Sequence, residues 1–194
     1  MLAHRQARSS RERSAAAAAL AERVLALPEL AGARRVAAYV AAGAEPGTGP
    51  LLDRLFARGV EVLLPVLLAD DSLDWAPHTA SAPFRPGRHH LMEPTARPLG
   101  PDAVRRMDAV VVPALACDTA GNRLGRGGGS YDRALAGLDP GVPVVALVYD
   151  DEVLDAVPVE VLDRPVGVIV TPARTVRPQP SAPSLDSGGG LAQD

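Results

Sequence analysis

The chain has 194 residues and no lysine; all 20 of its basic side chains are arginine. That absence excludes a lysine Schiff base and a Walker-type phosphate-binding lysine. Cysteine occurs once, at Cys117, so neither an intramolecular disulfide nor a multi-cysteine metal centre can form. Isoleucine also occurs once, at Ile169, among abundant Ala, Gly, Pro and Arg, a bias of genome composition more than of function. No apolar run approaches the ~20 residues of a bilayer span. The N-terminal MLAHRQARSSRERS has no apolar stretch after its charges, so no secretory leader is expected. The net charge is −3, without the basic excess of a general nucleic-acid binder. These absences favour a cytoplasmic protein with neither membrane nor nucleic acid as partner.

Hydrophobic residues make up 47% of the chain and charged residues 22%, an ordinary globular balance. The length suits one domain with a short appendage, large enough to bury roughly 70% of the surface that the unfolded chain exposes. The pattern predicts a helix over 9–27, capped by Ser10 and stopped by Pro28, and a strand over 35–40. A second helix is predicted over 50–58, with Thr48 as its cap and Gly59 as its stop, and a strand over 60–66. This is a β-α-β unit, which builds parallel sheets. The Pro- and His-rich middle offers short strands at 73–75 and 90–92 and a helix at 102–106. Residues 109–112 (AVVV) read as a buried central strand. A glycine-dense loop over 117–129, a helix over 131–138 and strands over 142–148 and 166–170 complete the body. Residues 173–194 are rich in Pro, Ser and Gly and read as a disordered tail. The sum is an α/β domain over 1–172 with a largely parallel central sheet.

The informative stretch is GNRLGRGGGSYDR, residues 121–133. It leaves the carboxyl end of a buried strand, where parallel sheets bind ligands. Its glycines let backbone N–H groups approach an anion closely, and the following helix adds its positive end. Arg123 and Arg126 suit bidentate phosphate or carboxylate contacts. Asp132 offers an oxygen of the kind magnesium takes. On spacing alone a merely structural loop remains open, and Asp132 could equally start a helix or pair with Arg133.

Residues 110–118 (VVVPALACD) followed by 121–133 resemble the signature of the 5-formyltetrahydrofolate cyclo-ligase (methenyltetrahydrofolate synthetase) family. The resemblance extends to Tyr39, to Glu45-Pro46-Gly47-Thr48, to Leu63-Leu64-Pro65, to Glu93-Pro94, and to Asp163 and Pro165. It implies a three-layer α/β fold like that of the sugar-phosphate isomerases and CoA transferases. The implied partners are ATP and 5-formyltetrahydrofolate, with Mg²⁺ as cofactor, and the implied products are 5,10-methenyltetrahydrofolate, ADP and phosphate; a monomer is expected. By position, Arg123, Leu124, Gly125, Arg126, Gly127, Gly128, Gly129, Ser130 and Tyr131 resemble the family's ATP loop. Arg126 and Tyr131 then carry the catalytic role. Val40, Glu45 and the stretch Arg126, Gly127, Gly128, Gly129 and Ser130 match folate contacts, and Asp132 and Asp163 match magnesium ligands.

Three positions depart from the family's pattern. Ser130 stands where a first tyrosine is usual, and Leu162 where histidine is common. The family's Lys-x-x-Leu-Arg helix aligns upstream of Met1, with Arg5 and Arg8 as the basic residues nearest to it. The expectation is that the 194-residue form binds ATP weakly. The alternative function is a folate- or nucleotide-binding paralogue without turnover; a sugar-phosphate isomerase or CoA-transferase-like protein is a more distant one, since fold alone does not assign chemistry.

Overall fold

The computed structural model describes residues 1–79, 83–161 and 163–178. Helices α1 (Leu2–Ala7) and α2 (Ser10–Leu25) lead into β1 (Arg35–Ala37), α3 (Gly49–Ala57) and β2 (Glu61–Leu67), followed by β3 (Leu73–Pro77), β4 (Phe84–Pro86) and β5 (Met92–Pro94). The second half runs β6 (Ala109–Pro113), β7 (Ala116–Asp118), β8 (Arg123–Leu124), α4 (Ser130–Leu135), β9 (Val144–Leu147), β10 (Val153–Leu154), β11 (Val168–Val170) and β12 (Thr175–Val176). Among the described residues, seven strands form the main sheet in the order β12-β11-β9-β6-β1-β2-β3. Its five inner strands are parallel, and both edge strands are antiparallel to their neighbours. The fold is therefore α/β with a large, mostly parallel central sheet, as the sequence predicts.

Alternation along each strand builds a core on both faces. In β6, Ala109 and Val111 join the cluster under α2 and α3, while Val110 and Val112 join the opposite one with Leu135 of α4. Period-two alternation of purely apolar residues is what a strand covered on both faces requires. The order also matters for function. From β1 the chain moves through α3 towards one edge; from β6 it moves through α4 towards the other, on the other face. The loops leaving β1 and β6 therefore part at a topological switch point, the place where open α/β sheets bind ligands.

Local departures from the sequence reading have identifiable causes. Ser9, not Ser10, caps α2: its Oγ accepts from Glu12 N at 3.2 Å, and Glu12 Oε2 accepts from Ser9 N at 2.7 Å. Only Ser9 has a glutamate three residues on, as a capping box needs. Thr48 occupies the α3 cap position without making the cap bond; its buried hydroxyl donates to Tyr39 O at 2.7 Å and accepts from Ala41 N at 3.1 Å, pinning the loop after β1. Residues 88–90 form a helical turn with His89 at φ 52°, and the strand begins at Met92 rather than at residue 90. The 117–129 stretch contains β7 and β8, which pair with each other. The tail reading is corrected at its start: Thr175 and Val176 pair with Val170 and Ile169 on the sheet. Residues 179–194 and Leu162 lie outside the described residues. No helix among the described residues is long and apolar enough to cross a membrane.

Candidate active site

The loop after β6 is held by one carboxylate. Asp118, at the end of β7, is buried. Its Oδ1 accepts from Ala120 N and Asn122 N (3.0 and 2.9 Å), and its Oδ2 from Asn122 Nδ2 and Val157 N (2.9 and 3.2 Å). Burial pushes the Asp118 carboxyl up, but these four hydrogen bonds outweigh it and hold the group below the usual carboxylate range. A second constraint is Gly121, at φ 92°: a Cβ there would lie 2.6 Å from Val166 O. Val166 N also donates to Gly121 O at 2.8 Å, which holds the glycine loop against the segment just before β11.

Asp118 supports a stability prediction. A lowered folded pKa means that its contribution is complete above the unfolded value of about 3.9 and is lost as pH falls through the folded value. Asp118→Asn puts an amide NH₂ against two N–H donors. It should cost about 1–3 kcal/mol at pH 7, and less at pH 3, below the unfolded value, where wild type has begun to lose the same advantage. Urea unfolding at the two pH values measures both.

Within the frame that Asp118 holds, two ion pairs bring the sequence-predicted residues together. Arg123 Nη2 donates to Asp132 Oδ1 at 2.6 Å, and its guanidinium lies 5.9 Å from the Tyr131 ring centroid. The Arg123 Nε is buried and has no hydrogen-bond partner, a donor suited to an incoming acceptor. Arg126, 59% exposed at the side chain, donates from Nη2 to Glu45 Oε1 at 3.0 Å, while Glu45 Oε2 accepts from Ala42 N at 2.9 Å. Glu45 and Arg126 are 81 residues apart in sequence, yet they meet at the switch point between β1 and β6. Desolvation first, and Glu45 second, push the Tyr131 phenol up, so it stays protonated and can donate. Gly127 and Gly129 take positive φ (85° and 62°), conformations favoured by glycine. Helix α4 has only six residues, so its end contributes less field than the predicted 131–138 helix.

Two cavities flank Glu45. One of about 270 Å³ is lined by Glu45, Arg126, His89 and α1 residues Leu2, Arg5 and Gln6. The other, about 470 Å³, is lined by Val40, Glu45 and residues of α2 and α3. The predicted metal ligands, Asp132 and Asp163, are each already hydrogen-bonded within the protein. Arg164 N lies 3.4 Å from Asp132 Oδ1, and the adjacent Asp163 accepts from Glu160 N with Oδ2. Among the described residues no three His, Cys, Asp or Glu side chains cluster to hold a metal by themselves. Magnesium commonly uses one or two carboxylates together with phosphate oxygens and water, and Asp132 with Asp163 fits that mode.

Sequence reasoning missed one part of the site wall. Arg5, on α1, is 2% exposed at the side chain and grips Glu152 through Nε and Nη2 at 2.6 and 2.8 Å. Its Nη2 also donates to Ala114 O at 2.6 Å. Burial works against the Arg5 charge, and Glu152 more than offsets it. Arg8 pairs with Asp151 and stacks 4.1 Å from the Tyr149 ring centroid. Both arginines are thus engaged by carboxylates, and Arg5 acts as a fastener of α1. The partners lie 147 and 143 residues away, and no local pattern could join them. Arg5→Ala leaves Glu152 buried without its cation and should cost about 3–5 kcal/mol, read as a lowered unfolding midpoint.

A carboxylate-anchored glycine loop beside buried and exposed arginines, at the switch point of a parallel sheet, defines an α/β enzyme site built for anionic ligands. A model of the 5-formyltetrahydrofolate cyclo-ligase family matches residues 1–172. The 5-formyltetrahydrofolate cyclo-ligase of Mycolicibacterium smegmatis is 40% identical over 153 residues, covering 74% of this chain and 76% of that protein. The protein of the same name from Escherichia coli K12 is 30% identical over 157 residues, covering 79% and 86%. Among solved structures, the NMR structure of Aquifex aeolicus 5,10-methenyltetrahydrofolate synthetase superposes with a TM-score of 0.76 at 26% identity, covering 98% of this chain and 95% of that one. The chain belongs to the 5-formyltetrahydrofolate cyclo-ligase family, ATP-dependent ligases of folate one-carbon metabolism, as the resemblance of residues 110–133 implies.

Proposed function

We propose that this chain converts 5-formyltetrahydrofolate into 5,10-methenyltetrahydrofolate, with ATP going to ADP and phosphate. The observation that carries the reading is the 3.0 Å Glu45–Arg126 pair. It joins the loop after β1 to the glycine loop after β6, which supports reading the two as one site for folate and phosphate. A formyl group on nitrogen is a poor electrophile. Passing the ATP γ-phosphoryl group to the formyl oxygen makes that oxygen a leaving group. N10 then attacks the formyl carbon, the carbon–oxygen bond breaks, phosphate departs with the oxygen, and N10 gives up its proton.

Phosphoryl transfer asks mainly for positioning and charge stabilisation, and the residues here supply those. Glu45 accepts N–H bonds from the pterin ring, and Val40 packs against the same ligand. Arg126, exposed where Arg123 is buried, turns its guanidinium from Glu45 to the transferring phosphoryl oxygens. Arg123, with its unpartnered Nε, and the N–H groups of the loop from Leu124 through Ser130 hold the rest of the triphosphate. The protonated Tyr131 phenol donates beside them. Asp132 and Asp163 are the residues to hold Mg²⁺, which supplies charge neutralisation on the phosphates. The test is the absorbance of methenyltetrahydrofolate in a mixture of purified protein, 5-formyltetrahydrofolate, ATP and Mg²⁺. Growth that requires all four supports the reading, and its absence contradicts it.

A further inference from the structure

Four residues after β9, Tyr149 to Glu152, take no part in the chemistry above and yet reach the Glu45 loop. Tyr149 is 2% exposed, and Asp150, Asp151 and Glu152 follow it in one helical turn. Each carboxylate holds a different element. Asp150 Oδ1 accepts from Ala173 N at 3.0 Å and from the Thr171 hydroxyl, just past β11. Asp151 pairs with Arg8. Glu152 is buried and accepts from Arg5 of α1 through both oxygens, and its Oε2 also accepts from Tyr149 N at 2.8 Å. The Arg8 guanidinium covers the Tyr149 ring. Tyr149 is therefore fixed at its backbone and on one face of its ring. Its hydroxyl donates to Ala44 O and Glu45 O, at 3.5 and 3.4 Å. Since the strand order is β9-β6-β1, this contact crosses the end of β6. The next carbonyl, Pro46 O, accepts from the Tyr39 hydroxyl at 3.2 Å. Burial pushes both phenols up, so each keeps its proton and donates at neutral pH.

Resting on the folate reading above, we propose that Tyr149 is a positioning residue for Glu45, set in place by Glu152 and acting through the backbone. Ala44 O and Glu45 O belong to the peptide groups on either side of the Glu45 Cα. Peptide groups are planar, so a donor shared between these two restrains both planes, and with them the direction of the Glu45 Cα–Cβ bond. The carboxylate thus starts from a set direction before Ala42 N and Arg126 Nη2 hold its oxygens. Both contacts of the hydroxyl are long, so each is weak; what they supply is direction more than stability. When Arg126 turns to the phosphoryl group, Glu45 loses one of those two holders, and the backbone restraint matters more. Tyr149 lines neither cavity, so it acts through Glu45 and not by touching the ligand.

Tyr149→Phe tests this, because it keeps the ring beneath Arg8 and removes only the shared donor. The calorimetric Kd for 5-formyltetrahydrofolate without ATP should rise roughly three- to tenfold, the scale of one neutral hydrogen bond, and the folate KM should rise with it. The ATP KM and the kcat at saturating folate should not move, the pattern of lost ground-state binding. In a Glu45→Ala background the same change should add nothing to the folate Kd, since residues that act through one another are not additive. Glu152→Gln keeps an acceptor for Tyr149 N but loses the ion pair with Arg5, and it should weaken folate in the same Glu45-dependent way. An unchanged folate Kd in Tyr149→Phe overturns the role. An equal loss in both backgrounds also overturns it, because that is what a merely structural tyrosine would give. A wild type that shows the coupling in Kd yet makes no methenyl product contradicts the cyclo-ligase reading and leaves the positioning role standing.

Discussion

Arg126→Ala is expected to lower kcat by about 10²–10³-fold, the range for removing one preorganised charge-stabilising donor, while leaving thermal stability almost unchanged. The separation follows from where the side chain sits. Arg126 is 59% exposed, and its bond to Glu45 spans 3.0 Å at the mouth of the site. A pair this open contributes about 0–1 kcal/mol to folding. During phosphoryl transfer the same guanidinium is directed at oxygens that gain charge, in a space partly closed by both substrates. Arg126→Lys keeps a charge but loses the planar fork, so it should recover only part of the rate. Stopped-flow turnover together with a thermal melt checks both halves. A large loss of stability, or a rate within threefold of wild type, would falsify this role for Arg126.

Asp132→Asn should raise the Mg²⁺ concentration required for half-maximal turnover at least tenfold and should also cost stability. A Mg²⁺ site of one or two carboxylates and phosphate oxygens loses one of its carboxylate charges. The stability cost comes from Arg123, whose side chain is 4% exposed against 19% for Asp132. Its buried cation keeps an amide acceptor but loses the carboxylate 2.6 Å away. A cost of about 1–3 kcal/mol follows from weakening a charged hydrogen bond. Magnesium titrations of turnover and denaturant melts measure the two effects separately. An unchanged magnesium titration removes Asp132 from the site even if the melt shifts, because the melt reports only the Arg123 pair.

The sheet was legible because its strands are apolar on both faces and separated by a helix of the right length. Val36, Val62 and Val110 declare themselves by alternation and by their turn-rich flanks. The short strands β7 and β8 were not legible, since two or three residues carry no period. They exist because Cys117 and Arg123 pair across a turn that Asp118 ties. The glycine loop could be located from composition, but its ligands could not: Glu45 came from resemblance, and only the fold shows why it meets Arg126. Asp163 was expected as a metal ligand, and the structure sets its neighbour Arg164 beside Asp132. In the sequence Arg5 is only one of the basic residues nearest the family's Lys-x-x-Leu-Arg helix, and burial against Glu152 makes it a fastener. Such a pair joins residues 147 apart, which is information held by topology and not by spacing.

The most direct measurement follows the formyl oxygen. With 5-formyltetrahydrofolate carrying ¹⁸O in the formyl group, and with ATP and Mg²⁺, the reaction proposed for this site must move that oxygen to phosphorus. One ¹⁸O is expected in the released inorganic phosphate for each methenyltetrahydrofolate formed. Methenyl product accompanied by unlabelled phosphate, with the label recovered in water, would contradict it.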